Sequence, residues 1–200
     1  MDKYFGEALN NFAFKKHKHG FIKSSDDNFF IFFGYALYDS DNSFPTQFGI
    51  RCGLKTIDKV YNVIMEESSE YLNLHSVSQA GLYEEKKYPK LEYDLHNESD
   101  IKLMVKEVTE YLKKEALPFF ENLNSIKNLE KYRNDNLIPQ QAKTGIILAR
   151  LAGNLNYEKL KEQYRLLLKE WPEHEKKELE KVINYLDNSS NEKLLKLISN

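Results

Sequence analysis

Phe29-Phe30-Ile31-Phe32-Phe33-Gly34-Tyr35-Ala36-Leu37-Tyr38, followed five residues later by Phe44-Pro45-Thr46-Gln47-Phe48-Gly49-Ile50-Arg51-Cys52-Gly53-Leu54, decides how this chain folds. The first run has no charged residue and is dense in aromatic rings, which suits a strand covered on both faces. The second alternates. Phe44, Thr46, Phe48, Ile50, Cys52 and Leu54 share one face, and Pro45, Gln47, Gly49, Arg51 and Gly53 share the other, so this strand has one apolar face. Asp39-Ser40-Asp41-Asn42-Ser43 supplies turn chemistry between them. If Tyr38 pairs with Phe44, then Gly34 faces Phe48 and Phe33 faces Gly49. Large rings then lie beside residues with little side chain, which is the reason to expect that register.

Around this hairpin the pattern is mixed at first and helical later. Tyr4, Phe5, Ala8, Leu9 and Phe12 form a stripe that predicts a helix over 2–16, ended by Lys15-Lys16-His17-Lys18-His19-Gly20. Phe21-Ile22-Lys23 reads as a short strand, and further strands are expected at 74–83 and 91–96. Thr56 is placed to cap a helix over 57–67, and Ser99 one over 100–116 that Pro118 ends. Ser125 starts a helix through Tyr132. Beyond 134–138 helices are expected from Pro139 to Gly153 and over 156–170, 173–187 and 190–198, the last with a Ser189–Glu192 capping box. The stretch from Leu148 to Asn154, with Tyr157 and Tyr164, reads as an ordinary helical hairpin rather than a repeat, since no second copy is present.

These elements predict an α+β fold: an antiparallel sheet of about four to five strands flanked by helices, over residues 1–134. An all-helical C-terminal extension, residues 139–200, is expected to lie on it.

Bulk composition narrows the function classes. With 41% hydrophobic and 30% charged residues, the 200-residue chain belongs among globular proteins. A net charge of −2 argues against broad binding to nucleic acid or to anionic membrane. Residues 1–99 hold 11 Lys/Arg against 15 Asp/Glu, so the charge is not concentrated in one half. No apolar run reaches transmembrane length, the start lacks a signal-peptide pattern, and Cys52 is the single cysteine. A soluble cytoplasmic protein fits these features, and the Lys-, Asn- and Ile-rich usage suits a bacterium.

No motif for a nucleotide, a metal or a catalytic serine is present, so no cofactor and no catalytic residue is expected, and the balance leans away from an enzyme. His17 and His19 at i, i+2 do not share a helical face, and a solvated basic helix end explains them. His75, His96 and His174 are scattered, and Cys52 sits on the inward face as a small apolar residue. The acidic runs Glu66-Glu67, Glu84-Glu85 and Glu173 to Glu180 read as solvated surface. One place stands apart. Arg51 and Gln47 on the polar face of the second strand, with Tyr35 beside them, form the candidate ligand-binding set, suited to an anionic or aromatic ligand.

Gly20-Phe21, Phe29 to Phe33, Phe48-Gly49-Ile50 and Tyr111-Leu112 through Ala116-Leu117-Pro118-Phe119-Phe120-Glu121 follow one another in an order that resembles a bacterial family known only as a domain of unknown function. The resemblance covers about the first 135 positions. It implies a compact antiparallel sheet flanked by helices and brings no catalytic residues. Small bacterial proteins of this shape sometimes act as immunity partners of toxins. The expectation is therefore a non-catalytic protein that binds another protein, as an immunity-type or adaptor protein. The alternative is an enzyme or small-molecule binder using the Arg51 face.

Overall fold

The computed structural model describes residues 2–17, 20–25, 27–36, 44–66 and 92–199. In chain order the elements are α1 (Asp2–Asn10), β1 (Lys15–His17), β2 (Gly20–Ser24), β3 (Asn28–Ala36), β4 (Phe44–Leu54), α2 (Lys55–Met65) and β5 (Glu92–Leu95). Then come α3 (Glu98–Tyr111), α4 (Leu117–Glu121), α5 (Ile126–Asn136), α6 (Ala142–Ala152), α7 (Tyr157–Leu167), α8 (Glu173–Asp187) and α9 (Asn191–Ser199). The chain is α+β, with helices in the majority. Its contacts form two units: one holds the strands with α1, α3 and α4, the other α2 with α5 to α9.

In the first unit every described pairing is antiparallel, and the strand order is β1-β2-β3-β4-β5. Lys16 lies opposite Phe21, Ile22 opposite Ile31, and Thr46 opposite Tyr93. Thr46, Phe48 and Cys52 are buried at alternate positions of β4, as a strand with one covered face requires. Helix α1 supplies part of that cover, with the Phe5 ring 5.0 Å from the Phe48 ring. The expected Tyr38–Phe44 register and the 74–83 strand fall outside the described residues.

Between α1 and α4, four local expectations are corrected. Helix α1 stops at Asn10, where a turn with Ala13 at φ 62° lets Phe14 enter the core, and residues 15–17 pair as a strand instead of ending a helix. Helix α2 begins at Lys55 after an extended Leu54 and has no side-chain cap from Thr56. Helix α3 is capped by Asn97, not Ser99: the Asn97 side chain accepts from the Ser99 and Asp100 amides, and Asp100 returns a bond to the Asn97 amide. Pro118 does not end the helical path. A π-helical turn over Leu112–Ala116, with the Leu117 amide donating to the Leu112 carbonyl, widens the helix just before the proline. That widening relieves the clash a proline ring makes with the carbonyl four residues earlier.

In the second unit, α2 packs against α6, α8 and α9, and α6 also meets α5 and α7. Ile57, Val60, Ile64, Ile146, Ile147, Val182, Ile183 and Leu186 are buried there. Ser125 starts α5 as expected, accepting from the Asn128 amide at 3.3 Å, but the helix runs on to Asn136 and ends with Leu137 in the left-handed region. Pro139 opens a 3-10 turn before α6, and Gly153 closes α6 at φ 65°. For α9 the capping hydroxyl belongs to Ser190, which accepts from the Lys193 amide at 3.2 Å. Ser189 is buried instead. The rest of the α6–α8 packing is joined by ion pairs. Lys143 reaches Glu175 at 3.0 Å and also Glu178, Lys161 reaches Asp187 at 2.9 Å, and Arg165 grips both carboxylate oxygens of Glu180. Burial pulls the Lys143 ammonium toward neutrality, but its bonds to Glu178 and Glu175 outweigh that and hold it charged.

Candidate functional site

Helix α5 turns an unusual face inward. Leu129, Glu130, Arg133 and Asn134 are all buried, Arg133 completely. Glu130, Arg133 and Asn134 stand at i, i+3 and i+4, one behind another on the same side of the helix. Buried polar groups of this kind are tolerated when they are bonded, and for Glu130 and Asn134 the bonds cross three elements. Asn134 Nδ2 donates to Glu130 Oε1 at 2.8 Å and to the Gly145 carbonyl of α6 at 3.1 Å. Asn134 Oδ1 accepts the Tyr164 hydroxyl of α7 at 2.9 Å. Both amide hydrogens and the amide oxygen are thereby used, which fixes the side chain's orientation.

Two backbone features bring these groups together. Gly145 has no Cβ, and one placed there would lie 2.7 Å from Asn134 Oδ1 and closer still to the Tyr164 hydroxyl. The left-handed Gly153 lets α6 end so that Asn154 folds back. Its Nδ2 donates to Glu130 Oε1 at 2.5 Å, and its Oδ1 accepts from the Asn156 amide at 2.7 Å. Burial pushes the Tyr164 phenol up to about 12; the positive charge of Arg133 opposes the shift and the negative charge of Glu130 adds to it. Tyr164 is thus a neutral donor at any physiological pH.

This network floors an open cleft of about 580 Å³. Lys127, Asn128 and Lys131 line it from α5, and Lys159 and Gln163 from α7, with Asn156 just before α7. The buried Glu130 and Asn134, the half-buried Asn154 and the exposed Asp135 line it as well. Among the described residues Lys127, Lys131 and Lys159 form no ion pair. Glu130 accepts both of its amide bonds on Oε1, and no described residue bonds Oε2. Chemically the cleft offers ammonium groups at the rim, amides along the sides and one fixed carboxylate oxygen below.

The residues singled out in the sequence stand elsewhere. Arg51 and Gln47 lie in β4 and Tyr35 in β3, with Gln47 opposite Glu92; their side chains fall outside those described. Positions 47 and 51 alternate with the buried Thr46, Phe48 and Cys52. Cys52 is buried and forms no disulfide among the described residues. His17 is exposed on β1, His96 Nε2 lies 3.4 Å from Asp94 with both exposed, and His174 is exposed beside Glu175. His19 and His75 are outside the described residues, among which no His, Cys, Asp and Glu side chains group as metal ligands. Glu175, Glu178 and Glu180 are engaged by Lys143 and Arg165.

The cleft itself was not foreseen. Its sequence signal is the Glu130, Arg133, Asn134 spacing on a helix with few apolar residues, together with a lone Gly145 inside the apolar α6. Among the described residues no helix is long and apolar enough to cross a membrane. Comparison with protein-family models, curated proteins and solved structures returns no match.

Proposed function

We propose that this chain is a non-catalytic bacterial protein that binds another protein, as an immunity-type or adaptor protein, and that the α5–α7 cleft is its recognition surface. One observation supports this reading above the others: the cleft floor is held by its own hydrogen bonds. Asn134 is bonded to Glu130, Gly145 and Tyr164, and Asn154 to Glu130. Side chains already ordered before a partner arrives spare the complex that ordering cost. The rim amides of Asn156 and Gln163 each offer a donor and an acceptor, the pair of groups a peptide main chain presents. The sheet, with its flanking helices, is read as scaffold.

The test is a photo-crosslinking amino acid at Gln163 of the full chain in its native host, with an exposed position on α3, Lys106, as control. The reading expects one stoichiometric partner joined through position 163 and absent from the control. Crosslinks at both positions to chaperones and ribosomal proteins alone would refute it.

A second reading, a small-molecule site on the Arg51, Gln47 and Tyr35 face, is supported by the buried alternate positions of β4, which leave 47 and 51 in the other register.

A further inference from the structure

We infer that the cleft takes an extended acidic segment of the partner, with three successive acidic side chains in contact with Lys127, Lys159 and Lys131. This rests on the protein-binding reading above and names the chemistry of the partner. The first support is the contrast in how cations are satisfied within one helical unit. On the α6–α8 side, Lys143, Lys161 and Arg165 each meet two carboxylates. Around the cleft, Lys127, Lys131 and Lys159 meet none among the described residues. Lys127 and Lys131 are also i, i+4 neighbours of like charge on α5, an arrangement that is repulsive until an anion lies between them.

Spacing supplies the second support. Four residues of α-helix advance about 6 Å, and residues i and i+2 of an extended chain are about 7 Å apart on one side of it. Acidic side chains at i and i+2 therefore match Lys127 and Lys131 on the α5 wall. The side chain at i+1 points the other way, toward Lys159 on the α7 wall. The main chain between them passes the amides of Asn156 and Gln163, and Glu130 Oε2 on the floor is available to accept one of its N–H groups.

The cleft also contains its own acids, which argue against a longer polyanion. Glu130 and Asp135 lie within it, so three ammonium groups face two carboxylates, with the Arg133 guanidinium buried behind the floor. A nucleic acid strand presents charge at every nucleotide and needs a continuous basic track. A short acidic run in a peptide places its charges only where the three lysines are.

Fluorescence anisotropy on the full chain tests this with labelled decapeptides of Gly and Ser carrying a central Glu-Glu-Glu or Gln-Gln-Gln. A decamer of deoxythymidylate serves as the nucleic acid control. The Glu peptide should bind at least tenfold more tightly than the Gln peptide and should weaken as salt rises. The triple variant Lys127→Glu, Lys131→Glu, Lys159→Glu should lose at least tenfold, while Lys106→Glu, Lys113→Glu, Lys177→Glu, with the same charge change, should lose less than twofold. Equal binding of the two peptides, tighter binding of the oligonucleotide, no binding of the Glu peptide, or equal losses in both triple variants would each overturn the inference. The position-163 crosslink separates the two levels. A partner joined there through a non-acidic stretch overturns the acidic segment and leaves the protein-binding reading standing. A Glu peptide that binds through the lysines while no cellular protein crosslinks at 163 does the reverse.

Discussion

Replacing Gly145 by alanine tests the architecture of the cleft floor most directly, because two effects of opposite sign meet at one atom. In the middle of an exposed helix, glycine to alanine stabilises by about 1 kcal/mol. At Gly145 the new Cβ would lie 2.7 Å from Asn134 Oδ1, 2.8 Å from Tyr164 Cζ and closer still to the Tyr164 hydroxyl. Neither neighbour is a loose end: Tyr164 is fully buried, and its hydroxyl is bonded to Asn134, which is itself bonded to Glu130 and the Gly145 carbonyl. Either α5 or α7 must therefore move. Overpacking of this kind costs about 1–3 kcal/mol. Stranding a buried hydroxyl or amide adds about 1–3 kcal/mol. After the helix-propensity gain, the net loss is about 1–5 kcal/mol.

Trp171, the single tryptophan, lies between α7 and α8 in the same unit, so urea unfolding followed by its fluorescence reports on these helices. A loss of this size shifts the midpoint downward by roughly 1 M. The matched control is Gly6→Ala in α1, where a Cβ would meet nothing within 4 Å; circular dichroism should show it as stable as the parent or more so. Combining Gly145→Ala with Tyr164→Phe removes the closest obstructing atom, and the pair should cost less than the sum of the singles. A Gly145→Ala protein with an unchanged or higher midpoint would refute the packing described for α5, α6 and α7.

Tyr164 also predicts a pH dependence. Its phenol is held at about 12 in the folded chain against 10.0 for the free group, so its contribution is complete below pH 10 and is lost as pH rises toward 12. The stability gap between the parent and Tyr164→Phe, measured by urea titration at each pH, should therefore shrink over that window by about 2–3 kcal/mol; a constant gap would contradict the burial. Ser190→Ala should cost about 0.5–2 kcal/mol by removing the α9 cap, whereas Ser189→Ala should change thermal stability by less than about 0.5 kcal/mol, since no described residue bonds its buried hydroxyl. The reverse ranking would restore the Ser189 box. For the sheet face, Arg51→Ala should abolish ligand-induced thermal shifts seen with anionic or aromatic compounds; an unchanged response across such a library would count against that site.

The parts legible in the sequence were those whose signal is periodic and local. Alternation in β4 foretold that Thr46, Phe48 and Cys52 are buried, because a strand's side chains change face at every residue. Helix α8 begins and ends where Pro172 and Asn188 bound its apolar stripe. Helix α1 was over-extended because Phe12 continues its stripe, while the left-handed Ala13 that turns the chain carries no residue-type signal. Pro118 reads as a terminator because the π turn that accommodates it shows in backbone geometry and not in composition. Residues 134–138 read as a joint, yet 134–136 are the last residues of α5 and Leu137 is its left-handed cap. Hydropathy places Arg133 and Asn134 at the surface; Asn134 is instead bonded to partners 11 and 30 residues away, Gly145 and Tyr164.

That buried polar side explains why the candidate site is here and not in the apolar part of the same unit. Where α2, α6 and α8 meet, aliphatic side chains fill the interior and the charged groups above them pair with one another, as Lys143 does with Glu175 and Glu178. Helix α5 instead packs through polar groups, and for Glu130 and Asn134 the partners are Gly145, Tyr164 and Asn154. Such a network adds little net stability over an apolar contact, but breaking one member strands the rest. Its return is geometric: a slide of α5 along α6 would unmake several bonds together, so the cleft keeps its shape. The lysines above it lie in that fixed frame and form no ion pair among the described residues. A rigid floor beneath unpaired cations is poorly explained by folding energy alone, and a partner's carboxylates would complete it.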